Sequence, residues 1–95
     1  MSNSTAQRRQ HNLIIIYEME HLAYDNLGQH QRAIQDYNEA LRLDPRLALA
    51  YANRALAYTA LRRDQDAERD VVKAVELGFD SAQLKAAVEE MKRRR

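Results

Sequence analysis

The chain contains no cysteine and no tryptophan, and only one proline, two glycines and one phenylalanine in 95 residues. Without cysteine it has no disulfide, no thiol nucleophile and no cysteine-ligated metal. So few Gly and Pro leave little to build the many turns of an all-β fold, which favours helices joined by a few tight connections. The longest aliphatic run, Leu13-Ile14-Ile15-Ile16, falls far short of the ~20 residues that span a bilayer. No charged-then-apolar leader opens the sequence, so the expected location is cytoplasmic, with no membrane contact. An excess of one charge is also missing: 15 Lys+Arg face 14 Asp+Glu. Six of the basic residues lie near the two ends (Arg8, Arg9 and Lys92-Arg93-Arg94-Arg95), leaving 9 basic against 14 acidic residues between positions 11 and 91. A nucleic-acid partner calls for basic residues spread along a face with aromatic platforms, and none is expected here. Lys92–Arg95 reads as a solvated helix end that complements the helix dipole.

What the chain does have is a copy of itself. Shifted by 34 residues, Leu13, Tyr17, Leu22, Ala23, Tyr24, Leu27, Gln31, Ala33, Asp36, Ala40 and Leu43 fall on Leu47, Tyr51, Leu56, Ala57, Tyr58, Leu61, Gln65, Ala67, Asp70, Ala74 and Leu77. A period in this range denotes stacked supersecondary units. In the second copy, Ala48, Tyr51, Ala52, Ala55, Tyr58 and Leu61 keep helical spacing, as do Ala67, Val71, Ala74, Val75 and Leu77. Arg62-Arg63-Asp64 reads as the turn between them, with Asp64 capping the second helix, and Leu27-Gly28-Gln29 as its counterpart with Gly28 in a left-handed C-cap. Asp44-Pro45 predicts an N-cap followed by the first helical residue. Gly78 stops the next helix, and Asp80-Ser81 starts another whose apolar positions are Ala82, Leu84, Ala87, Val88 and Met91. The expectation is five helices near 11–27, 30–43, 46–61, 64–77 and 81–93, behind a flexible tail at 1–10.

This helix–turn–helix unit resembles the tetratricopeptide (TPR) repeat. The family pattern W-x2-L-G-x2-Y, A-x3-F and P falls on Tyr17, Glu20, His21, Tyr24, Ala33, Tyr37 and Pro45, then on Tyr51, Arg54, Ala55, Tyr58, Ala67, Val71 and Phe79. Ala33-Ile34-Gln35-Asp36-Tyr37-Asn38-Glu39-Ala40-Leu41-Arg42-Leu43-Asp44-Pro45 carries the similarity most specifically. The resemblance implies an all-α superhelical array: repeat 1 at 14–47, repeat 2 at 48–81, and a capping helix with a basic end at 82–95. Ala33 and Ala67 would mark the close crossing within each repeat, and Ala40 and Ala74 would face the next one. Tyr17, Tyr24, Tyr51 and Tyr58 would be core aromatics. His21 and Glu20 depart from the small and large apolar residues of the pattern.

No catalytic constellation is present. Glu18, His21 and Asp25 share a helical face but lack a second histidine, so neither a metal nor another cofactor is expected. Gly28 and Gly78 are isolated, and Ser2, Ser4 and Ser81 have no activating histidine and acid. An enzyme is therefore not expected. The family resemblance implies a protein-interaction adaptor that binds a peptide or partner helix in a concave, centrally apolar groove. Its candidate lining is Ile15, Met19 and Leu22 from the first repeat and Leu49, Asn53, Leu56 and Ala60 from the second, with Gln83, Ala86, Ala87 and Glu90 from the last helix. Of the carboxylate clamp that grips chaperone tails in this family, only Asn53 matches. Glu18, Leu22, Gln83 and Ala87 stand at the other clamp positions, and no cation there meets a dianionic tail. An alternative is a fragment or assembly subunit of a larger array with no independent ligand.

The first helix carries more apolar surface than one neighbour covers, and two repeats fall below the number such stacks generally need. Self-association as a homodimer is expected through Leu13, Ile14, Ile15, Ile16 and Met19. His21 crowds the crossing and favours a splayed or exchanged helix.

Overall fold

The computed structural model describes residues 27–95. These residues form four α-helices and no strand: α1 (Leu27–Leu43), α2 (Ala48–Ala60), α3 (Asp64–Glu76) and α4 (Ser81–Arg94). The all-α array is as the sequence implies. The helix expected at 11–27 and the tail at 1–10 lie outside the described residues.

Composition explains why α2 is the pivot. Its sequence ALAYANRALAYTA is rich in the best helix former and has no charge in its first or last turn. Eight of its 13 residues are buried on several sides, and it packs against α1, α3 and α4 in turn. A helix buried this widely belongs in the middle of a stack. In contrast, α3 buries only Ala67, Asp70 and Ala74, and α4 only Leu84, Ala87, Val88 and Met91. Each presents a single stripe, as expected of outer helices. The shared core draws Ile34 from α1, Ala52, Leu56, Ala57 and Ala60 from α2, Ala74 from α3, and Leu84, Ala87, Val88 and Met91 from α4, closed by Phe79. Ala67 and Ala74 are buried where small side chains are needed, whereas Ala33 and Ala40 are half-buried.

Two helix ends share one hydrogen-bond plan. At the end of α3, Phe79 N donates to Ala74 O (2.9 Å) and Gly78 N to Val75 O (3.0 Å). At the end of α2, Arg63 N donates to Tyr58 O (2.8 Å) and Arg62 N to Thr59 O (3.0 Å). Both are Schellman caps, which require a left-handed residue. Gly78 supplies it at φ 105°, and Arg62 takes the same role at φ 61° despite its side chain. The apolar contact that usually completes the motif is replaced at α2 by Arg63 over the Tyr58 ring, 4.6 Å from its centroid.

Three expected boundaries move. Asp44-Pro45 does not open α2: the Asp44 carboxylate accepts from Arg46 N (3.1 Å), Leu47 N donates to Asp44 O (3.2 Å), and the helix begins at Ala48. The aspartate is spent on its own local turn, the usual competitor of capping. Asp64 is the first residue of α3 rather than its cap; Arg63 holds the cap position without a side-chain bond. Gly28 lies in the helix Leu27–Leu43 rather than in a turn before it. Asp80 behaves as expected, accepting from Gln83 N (2.8 Å) to cap α4.

Candidate functional site

A polar hub sits where α2 meets α1 and α3. The Arg54 guanidinium donates from Nε and Nη2 to the two carboxylate oxygens of Asp70, both at 2.7 Å, and from Nη1 to Asn38 Oδ1 at 2.7 Å. Asp70 is only 4% exposed. A carboxylate so enclosed persists because a two-pronged, charge-assisted pair satisfies it. Its hydrogen bonds raise the Arg54 pKa above the usual guanidinium value. Tyr51 and Tyr58 flank the cation at 5.4 and 5.7 Å, so these tyrosines, half-buried against the core as expected, also support the arginine. One side chain thus joins three helices. Sequence reasoning missed this hub. Its one signal was the recurring Asp36/Asp70, a carboxylate in a set of otherwise mostly apolar identities.

Beside the hub, burial pushes the Tyr37 hydroxyl up to about 12, with Asp36 nearby adding to the effect. It therefore stays protonated at physiological pH.

The groove candidates divide. Leu49 is half-buried on α2, while Asn53, Leu56 and Ala60 are buried within the chain. Leu56 belongs to the core cluster with Leu84 and Met91. Asn53 has its Oδ1 buried without a hydrogen-bond donor among the described residues. On α4, Ala87 is buried, Ala86 is exposed, and Gln83 and Glu90 are half-buried. Ile15, Met19 and Leu22, and the self-association residues Leu13, Ile14, Ile15, Ile16, Met19 and His21, lie outside the described residues, as do Glu18 and Asp25. Among the described residues, no three His, Asp or Glu side chains are grouped to hold a metal ion.

The basic end of α4 is exposed, as expected, but its cations are paired. Lys92 pairs with Glu89 (3.8 Å), Arg93 and Arg94 share Glu90, and Arg95 reaches Asp64 across 31 residues. Each cation has an acidic partner, which disperses the positive field that a polyanion would need. Hydrogen bonding by Arg93 and Arg94 holds the Glu90 carboxyl below its usual range, and Arg95 does the same to Asp64. No helix of the described residues is long and apolar enough to cross a membrane.

Comparison with known proteins agrees with this architecture. The sequence profile of the TPR repeat matches residues 22–61. The chain is 42% identical over 55 residues to tetratricopeptide repeat protein 34 of Homo sapiens, an alignment covering 58% of this chain and 10% of that protein. It is 36% identical over 50 residues to the mitochondrial import receptor subunit TOM34 of Rattus norvegicus, covering 53% and 16%. It is 38% identical over 50 residues to the small glutamine-rich tetratricopeptide repeat-containing protein of Dictyostelium discoideum, covering 53% and 15%. The chain therefore spans between a tenth and a sixth of the length of these relatives. No solved structure matches it. The 34-residue recurrence, the helix pairs stacked on α2 and these matches agree: residues 22–61 match the tetratricopeptide repeat, and the chain is similar to proteins that carry it.

Proposed function

We propose that the chain is a non-catalytic protein-interaction module of the cytoplasm. In this reading it receives a peptide or partner helix along Leu49 and Asn53 of α2, together with Ile15, Met19 and Leu22, and it pairs with a second copy through Leu13, Ile14, Ile15, Ile16, Met19 and His21. The repeat family supports a protein partner, and the absence of cysteine fits a reducing compartment. The observation that carries the groove reading is Asn53: its Oδ1 is buried with no donor among the described residues. An unsatisfied buried acceptor costs about 1–3 kcal/mol; Asn53 is 2% exposed, so a peptide backbone N–H that displaces what covers it would remove that cost.

The test is quantitative capture of partners from the source cell by wild type, Asn53→Leu and Leu49→Glu, with thermal melts alongside. Asn53→Leu removes the acceptor at similar volume. It should leave the melt unchanged or higher while weakening capture by about tenfold, the equivalent of one such hydrogen bond. Wild-type capture by both variants contradicts the groove. Light scattering at tens of micromolar tests the pairing: a dimer mass is expected, and a monomer mass across that range contradicts it.

A further inference from the structure

The end of α4 returns to the corner between α2 and α3. Arg95 Nη1 donates to the backbone oxygen of Thr59 (2.8 Å) and to Asp64 Oδ1 (2.6 Å), and Nη2 donates to Asp64 Oδ2 (2.9 Å). Its side chain is 18% exposed, low for an arginine beyond a helix end. Thr59 is in the last turn of α2, its carbonyl shared between Arg62 N of the cap and Arg95, and Asp64 opens α3. Between them lies the turn with Arg62 in the left-handed conformation. One guanidinium therefore ties a helix end to a helix start, across the connection that joins them.

The two ways α4 is held differ in kind. Leu84, Ala87, Val88 and Met91 are buried in the core, and that attachment is apolar and insensitive to salt. Beyond Met91 no further residue is buried, so the last turn is held by the Arg95 contacts. Alongside, α3 and α4 leave a groove of about 220 Å³ floored by Ala67, Val71 and Val88, with Asp64 and Lys92 at the latched end.

We propose that Arg95 is an ionic latch: it closes the α2–α3 corner and the neighbouring end of the α3/α4 groove, and rising ionic strength releases it while the rest of α4 stays docked. Asp64 is nearly half exposed, so salt reaches the pair directly, unlike the enclosed Arg54–Asp70 pair. Releasing it takes one of two donors from the Thr59 carbonyl, leaving Arg62 N alone, loosens the corner, and opens the groove where Asp64 now faces Arg95.

Hydrogen exchange on the full chain tests the latch, comparing wild type with Arg95→Ala, Arg95→Lys and Asp64→Asn in about 20 mM and about 0.5 M NaCl, either side of strong screening. At low salt, Arg95→Ala and Asp64→Asn should speed exchange at Met91–Arg94 and at Arg62–Asp64 by about three- to tenfold, as local opening rather than global unfolding. Ile34–Leu41 in α1 should not change. Arg95→Lys, unable to grip both carboxylate oxygens and Thr59 in a fork, should fall between. High salt should speed the same amides in wild type and add nothing in Arg95→Ala. Wild-type exchange in Arg95→Ala, or equal acceleration through all four helices, overturns the proposal.

Discussion

Asp36 and Asp70 occupy one position of the 34-residue repeat, in α1 and α3, yet their surroundings are opposite. Asp70 is buried and held by both prongs of Arg54, whereas Asp36 is exposed. The difference lies one helix away in sequence: the residue that serves Asp70 is Arg54, and its repeat equivalent before Asp36 is Glu20. A carboxylate there can offer Asp36 no counter-charge. The repeat copies the acceptor but not the donor, so identity between copies marks position in the fold without fixing the environment. The same lesson appears at the helix ends, where Gly78 and Arg62 perform one backbone task with different side chains.

The comparison breaks most visibly if the two aspartates are altered in parallel. Asp70→Ala leaves Arg54 enclosed without its partner and should destabilise by about 2–4 kcal/mol in urea unfolding. Asp36→Ala should change stability by less than about 0.5 kcal/mol. Equal effects would show that the hub adds nothing beyond the repeat position. Ala67→Leu and Ala33→Leu sharpen the same contrast between α3 and α1. Overpacking the buried Ala67 should cost roughly 1–3 kcal/mol, and the half-buried Ala33 less. A loss under about 0.5 kcal/mol at Ala67 would remove it from a close crossing.

Smaller effects are expected at the two Schellman caps. A Cβ on Gly78 meets nothing within 4 Å, so Gly78→Ala should lose about 1 kcal/mol from backbone strain alone. Arg62→Gly should relieve that kind of strain and gain up to about 1 kcal/mol at the other cap. Its gain is offset in part by the larger chain entropy of glycine in the unfolded state. Thermal melts of the two single variants, with opposite signs, check both.

Much of this fold was legible from spacing. The repeat period, the segments that became α1 to α4, the stop at Gly78, the Asp80 cap and the small residues Ala67 and Ala74 all follow from local chemistry. Departures arose where one side chain had two possible uses. Asp44 bonds its own turn instead of a helix N-terminus. Asp64 is engaged by an arginine 31 residues away, and local pattern says nothing about such a partner. The Arg54 hub is likewise non-local, linking residues 16 apart on either side. Of the candidate groove, Leu49 retains exposed surface, while Leu56 and Ala60 show how a helical face that is apolar in sequence serves the chain's own core.

The claim that one guanidinium binds α2 to α3 through a buried pair is tested most directly by a double-mutant cycle of Arg54→Met and Asp70→Asn in urea. Each single change leaves a partner unsatisfied, while the double change leaves no enclosed charge. Their combined cost should therefore fall short of additivity by about 1.5–3 kcal/mol. Costs that add to within about 0.5 kcal/mol would contradict the hub and leave the difference between Asp70 and Asp36 without its cause.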